Sequence, residues 1–125
     1  MKTYNSYKDT LTAIRSKETT CHQIVQNYIQ IISKKNKQIN AFIEVYSKEA
    51  LSKARQIDKK ISNGTAGKLA GMVVGIKDNI CYKNHKVSAS SKMLKGFKSL
   101  YSATVVDRLI QEDAIIIGRL NCDEF

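Results

Sequence analysis

The chain has 125 residues, 42% of them hydrophobic and 26% charged, enough for one ordinary cored domain and too balanced for a disordered polyelectrolyte. Its longest apolar runs, such as residues 72–76 and 114–118, fall far short of the roughly 20 residues of a membrane-spanning helix. The net charge of +10 rests on 17 lysines and 4 arginines against 11 acidic residues, a surface that attracts polyanions but lacks the arginines favoured for nucleic-acid readout. With 15 isoleucines and 8 asparagines, the same lysine excess is also what an A+T-rich coding sequence produces without any partner.

Residues 1–7 carry no apolar signal-peptide core, so the cytosol is the expected location. Residues 1–62 read as helical. Ile24, Tyr28, Ile31 and Ile32 stripe one helix face, and Thr20 followed by Gln23 has the spacing of a capping box that starts that helix. Lys34, Lys35 and Lys37 sit near its end, where cations suit the helix dipole. Ala41–Tyr46 is expected to be a short strand or extended link. Ser47 is then expected to cap a further helix with Ala50, Ala54, Ile57 and Ile61 on one side, closed by Asn63-Gly64. Its charges, Lys53, Asp58 and Lys60 among them, read as a solvated face.

The period changes after residue 64. Met72–Ile76 is a compact apolar run short enough for a buried strand, and a polar loop region follows through residue 91. Ala103–Gln111 predicts a helix with Val105, Val106, Leu109 and Ile110 inward. Ala114–Ile117 predicts a strand closed by Gly118, its unbroken β-branched run pointing to cover on both faces. Strand, helix, strand is the opening of an α/β core, and two strands are too few for a sheet. The expected fold class is therefore α/β, with amino-terminal helices leading into an incomplete core.

Three cysteines (Cys21, Cys81, Cys122) form no C-x-x-C pattern, and His22 and His85 stand apart, so neither a disulfide framework nor a metal site is expected. Cys81 and Cys122 read as buried or loop thiols rather than nucleophiles.

Lys77 is the candidate catalytic residue. A lysine at the carboxyl end of a buried strand lies where open α/β sheets place their ligands. If that end is covered, loss of hydration disfavours the ammonium, and a neutral amine can take a proton from a nucleophile. Taken alone, the stretch fits better a strand-end lysine whose amino group reaches water and pairs with Asp78.

The neighbouring segments reverse that balance. Residues 69–80 (LAGMVVGIKDNI), 89–94 (ASSKML), 103–109 (ATVVDRL), 114–119 (AIIIGR) and 121–125 (NCDEF) resemble successive blocks of the amidase-signature family, in order and near its spacing. Within that family, the last block and the ASSKML segment are most similar to the glutaminase (A) subunits of tRNA-dependent amidotransferases. Val73 stands where many members have proline, and Gly75, Leu120 and Cys122 also differ from common choices, while Arg119 is a basic substitution of the usual kind.

The resemblance implies a mixed-sheet core and a Ser-cis-Ser-Lys triad that attacks an amide, with Lys77 matching the lysine and backbone amides stabilising the oxyanion. It implies glutamine as substrate and ammonia passed to a partner subunit, which uses ATP and magnesium to convert Glu-tRNA(Gln) to Gln-tRNA(Gln). The B and C subunits of the amidotransferase would be the partners, and this chain itself would bind no cofactor or metal. Residues 1–125 would form a single incomplete domain, helical over 1–62 with the core starting at 63–125. The family's serine-rich signature would lie beyond Phe125, so the chain alone is expected to be inactive. Ser88, Ser90 and Ser91 have the wrong spacing to replace the missing serines, and Ser90 or Ser91 is expected to cap a short helix near Lys92. A stand-alone amidase of the same family, or a basic helical module for tRNA or a partner protein, are the alternative readings.

Overall fold

The computed structural model describes residues 2–123. Its elements run α1 (Tyr7–Arg15), α2 (Cys21–Ile39), β1 (Phe42–Val45), α3 (Ser47–Ser62), β2 (Val73–Lys77), a 3-10 turn (Lys92–Leu94), α4 (Thr104–Gln111) and β3 (Ile115–Leu120). The three strands form one mixed sheet in the order β1-β3-β2. β2 runs parallel to β3, with Lys77 opposite Leu120, and β1 runs antiparallel, with Glu44 opposite Arg119. The chain is thus α/β with a mixed sheet, as its sequence leads one to expect. The extended link at residues 41–46 supplies the third strand that the two apolar runs lacked.

α2 starts as its sequence dictates. The Thr20 side chain accepts from the Gln23 amide, and the Gln23 side chain accepts from the Thr20 amide in return. Two further amides at that end, those of Cys21 and His22, donate to the Asp58 carboxylate at 2.8 and 3.1 Å. Asp58 on α3 is therefore a cross-helix cap rather than part of a solvated face. The core side of α2 is Cys21, Ile24, Val25, Ile29 and Ile32, with Tyr28 turned out at 37% exposure, so the buried stripe runs beside the expected one.

α3 also corrects the sequence reading at its start. Tyr46, not Ser47, is the N-cap, and it makes no side-chain capping bond. The far end agrees: Asn63 caps it, and Gly64 takes a φ of +71° that favours glycine. Ala50, Ala54 and Ile57 pack with Val25, Ile115 and Ile117 in one cluster, covering one face of the sheet. Full burial of a side chain such as Ile57 or Ile115 is worth about 1.5–3 kcal/mol; both are completely inaccessible.

The opposite face carries a smaller cluster of Tyr46, Ile76, Val106 and Ile116, with Leu109 and Ile110 packed against it. Val105, which the sequence pattern turns inward, is instead 53% exposed. Met93, Leu100 and Tyr101 are also exposed. β3 is buried along nearly its whole length, as a strand covered on both faces should be. It does not stop at Gly118 but runs through it to Leu120. A Cβ on Gly118 would lie 2.5 Å from the Glu44 carbonyl oxygen, so only glycine lets β1 approach this closely. The pairing with β2 slips by one residue between Ile116 and Gly118. Such a bulge re-aims the residues that follow it, Arg119 among them.

Candidate functional site

The carboxyl ends of the parallel strands β2 and β3 lie side by side, which is where open α/β sheets collect their chemistry. Lys77 is the last residue of β2, not the first residue after it, and its side chain is exposed. It forms no ion pair or side-chain hydrogen bond among the described residues. The pairing with Asp78 that a solvated lysine would make does not form, because Asp78 faces the other way.

Asp78 is fully buried and collects donors from two directions. The Arg119 Nη1 donates to its Oδ1 at 2.5 Å and the Ser88 amide to the same atom at 3.0 Å. The Ser88 hydroxyl donates to Oδ2, as does the Ser90 amide at 3.4 Å. Its backbone adds three more bonds: the Asp78 amide donates to the Leu120 carbonyl at 2.9 Å, and its carbonyl accepts from the Ser88 and Ala89 amides. Burial alone would push the carboxyl up, but the hydrogen bonds from Ser88 and Arg119 and the guanidinium charge outweigh it and hold the group below the usual carboxylate range.

Arg119 is buried too and bridges to Glu44 at 3.2 Å, closing a carboxylate–guanidinium–carboxylate chain across three elements. The Tyr46 phenol lies beside the guanidinium. Burial and the nearby Glu44 charge push the Tyr46 phenol up to about 12, so it stays neutral.

The loop that Asp78 holds is strained. Ala89 and Ser90 both take left-handed backbone conformations, with φ of 48° and 55°. For residues with a Cβ each costs on the order of 1–3 kcal/mol and persists only where surrounding contacts impose it. The three serines here are committed: Ser88 to Asp78, Ser90 to the Cys122 carbonyl at 2.5 Å, and Ser91 as N-cap of the 3-10 turn, accepting from the Met93 amide. Each is tied into the local structure by these bonds, and Ser91 rather than Ser90 is the cap.

Cys122 borders this loop, with its Sγ 3.3 Å from the Ser90 hydroxyl oxygen. Cys21 is a core residue whose thiol burial and the Asp58 charge push up to about 12. His85 lies in the loop, stacked on Tyr82 at 3.8 Å with its Nε2 2.7 Å from Glu49. Among the described residues no group of three or more His, Cys, Asp and Glu could hold a metal ion, and no helix is long and apolar enough to cross a membrane.

The sequence points to Lys77 but not to its supports. Arg119 reads as a basic ending to an apolar run, and Asp78 as the partner of a solvated lysine. Counting alternation from Ile115 puts Arg119 on the helix-covered face with Ile117, and only the slip in pairing at Gly118 carries it to Asp78. The block at residues 121–125 ends on Glu124 and Phe125, which lie outside the described residues.

Comparison with known proteins adds the relationships of the chain. Residues 23–125 match the profile of the family described as Amidase. The chain is 43% identical over 122 residues to the A-type subunit of the glutamyl-tRNA(Gln) amidotransferase of Salinibacter ruber, covering 98% of this chain and 24% of that protein. It is 44% identical over 116 residues to the protein of the same name in Methanobrevibacter smithii, covering 92% and 25%. Among solved structures it is similar to native peptide amidase from Stenotrophomonas maltophilia, with a TM-score of 0.89 and 28% identity over 96% of this chain and 25% of that one. The chain spans about a quarter of the length of the curated relatives it matches.

Proposed function

This chain belongs to the amidase-signature family, and from that premise we propose that it is the lysine-bearing part of a glutaminase of the amidotransferase A type. The observation that carries the choice within the family is the contrast in identity. Relatives named as the A-type amidotransferase component match at 36–44% over 90% or more of the chain, the similar peptide amidase at 28%.

In this reading the 125 residues supply the sheet end and Lys77, and the rest of a full-length enzyme supplies two serines and the oxyanion amides. The nucleophilic serine attacks the glutamine side-chain amide, and its proton passes through the bridging serine to the Lys77 amine. The tetrahedral adduct collapses, the C–N bond breaks, and ammonia leaves with a returned proton. Water then cleaves the acyl ester to glutamate. Ammonia travels to a B-type partner subunit, where ATP and magnesium activate the glutamate on Glu-tRNA(Gln), with a C-type subunit completing a cytoplasmic complex. The exposed setting of Lys77 in this chain fits a site whose cover comes from elsewhere.

A stand-alone amidase is the second reading, favoured by the likeness to the peptide amidase structure. A chimera separates the two. Residues 1–125 replace the matching quarter of the Salinibacter ruber protein, which is then combined with its own partner subunits. Ammonia release from glutamine that rises with Glu-tRNA(Gln) and ATP supports the amidotransferase reading. Hydrolysis of small amides with no preference for glutamine favours the amidase. RNA binding by the 125-residue chain, with no amide hydrolysis by the chimera, points to the basic module instead. The 125-residue chain by itself should release no ammonia.

A further inference from the structure

We propose that Asp78, together with Arg119, is the positioning element of the Lys77 site: it locks the end of β2 and the strained Ser88–Ser90 turn into one rigid wall beside the lysine. The inference rests on the reading of Lys77 as the proton acceptor and goes beyond it by assigning roles to residues that touch neither substrate nor proton.

The geometry carries the argument. Asp78 is the residue after Lys77, so whatever fixes Asp78 fixes the backbone from which the amine extends. Four side-chain hydrogen bonds and three backbone ones converge on it, all from two segments: the 88–90 turn and the end of β3. A buried carboxylate is costly unless its lone pairs are filled, and this one is filled by a guanidinium and by the amides and hydroxyl of the left-handed 88–90 turn. Ala89 and Ser90 would relax toward ordinary backbone conformations without those bonds. The strain is therefore held in place by Asp78, next to the strand end that presents the lysine.

A second observation is the reach of the guanidinium: it joins Glu44 on β1 and Asp78 beyond β2 to its own strand β3, tying the three strand ends together. Positions held within fractions of an ångström matter for proton transfer, because a small misplacement of a reacting group costs orders of magnitude in rate.

The test uses the chimera with glutamine as substrate, reading kcat, KM and the thermal midpoint for Lys77→Ala, Asp78→Asn, Ser88→Ala, Arg119→Gln and Arg119→Lys. Asp78→Asn should lower kcat roughly 10- to 100-fold while KM stays within about twofold, the pattern of an interaction lost only in the transition state. Ser88→Ala removes one bond to Asp78 and leaves the guanidinium pair intact. It should lower kcat in the same sense but less, with a smaller fall in the thermal midpoint than Asp78→Asn and KM again within about twofold. Arg119→Lys keeps a charge beside Asp78 and should lose less kcat than Arg119→Gln. If Asp78→Asn does not fold, Ser88→Ala and the two Arg119 variants decide. An inactive Lys77→Ala beside a Ser88→Ala of unchanged kcat would overturn the positioning role and leave the lysine reading standing. A Lys77→Ala that retains activity would sink both.

Discussion

At the start of β3 the Asp113 carboxylate accepts from Lys60 Nζ at 2.8 and 3.0 Å and from the Gly67 amide at 2.8 Å. Past its far end, the Asp78 carboxylate accepts from Arg119, Ser88 and Ser90. Both aspartates are inaccessible, yet their cations differ. The Lys60 side chain is 45% exposed and can return to water if its partner is lost, whereas the Arg119 side chain is 9% exposed and cannot. The first end bolts the helical half to the sheet, where Ile57, Ile115 and Val25 fill a closed face. The second end carries a strained turn and an exposed lysine. Two buried aspartates of similar chemistry thus differ in the exposure of the cation that meets them, a fastening at one end and, in the proposed reading, a site wall at the other.

Removing each carboxylate should break that comparison open. Asp78→Ala strands a buried guanidinium and is expected to cost about 3–5 kcal/mol. Asp113→Ala frees a lysine that can rehydrate and leaves one amide unsatisfied, so about 1–3 kcal/mol is expected. Urea unfolding of the two variants side by side measures the difference, and equal losses would show the two ends to be alike. In the chimera, Asp113→Asn should leave kcat unchanged, in contrast to Asp78→Asn.

The same pair sets the acid response. At Asp113, as at Asp78, burial would raise the carboxyl, but hydrogen bonds and nearby cations hold it below its ordinary value. Groups whose folded value is depressed contribute stability that is complete above the unfolded carboxylate range, near about pH 4, and lost as the pH falls through the folded value. Stability should therefore decline on acidification below about pH 4, and Asp113→Asn should flatten part of that decline. An unfolding midpoint that rises on acidification would contradict the assignment.

The smallest expected effects lie at the helix starts. Thr20→Ala removes a capping bond and should cost about 1 kcal/mol, while Ser47→Ala should fall within about 0.5 kcal/mol, since Ser47 makes no cap. Thermal midpoints of the two variants check this, and a larger loss at Ser47 would restore the capping role its sequence suggests.

That contrast shows what the sequence carried. The capping box at Thr20 and the terminator at Asn63-Gly64 are local signals, written in residues within one turn of each other, and the structure follows them. So is the β-branched run of β3, whose burial on both faces needs only that the strand be central. The Ser47 signal failed because the chain enters α3 straight from β1, with Tyr46 committed to the sheet's second face. The inward setting of Val105 failed because α4 is only eight residues long and presents a narrow stripe, with Val106 alone fully buried. The site's supports were illegible for a different reason. Asp78 and Arg119 are 41 residues apart and meet through a one-residue slip in strand pairing, which no local pattern encodes. Lys77 itself was visible only because the segments around it resemble a family.

Arginine at position 77 tests most directly whether the Lys77 amine accepts a proton. Lys77→Arg keeps the charge and most of the length, but a guanidinium does not give up its proton at working pH. In the chimera with its partner subunits, glutamine-dependent ammonia release should fall for Lys77→Arg as far as for Lys77→Ala, by at least the roughly 10²-fold typical of a lost general base. Gln-tRNA formation from supplied ammonium should persist in both variants, because in the proposed mechanism that step does not use this lysine. Substantial glutamine-dependent activity in the arginine variant would contradict the account and return Lys77 to the role of a solvated strand-end lysine.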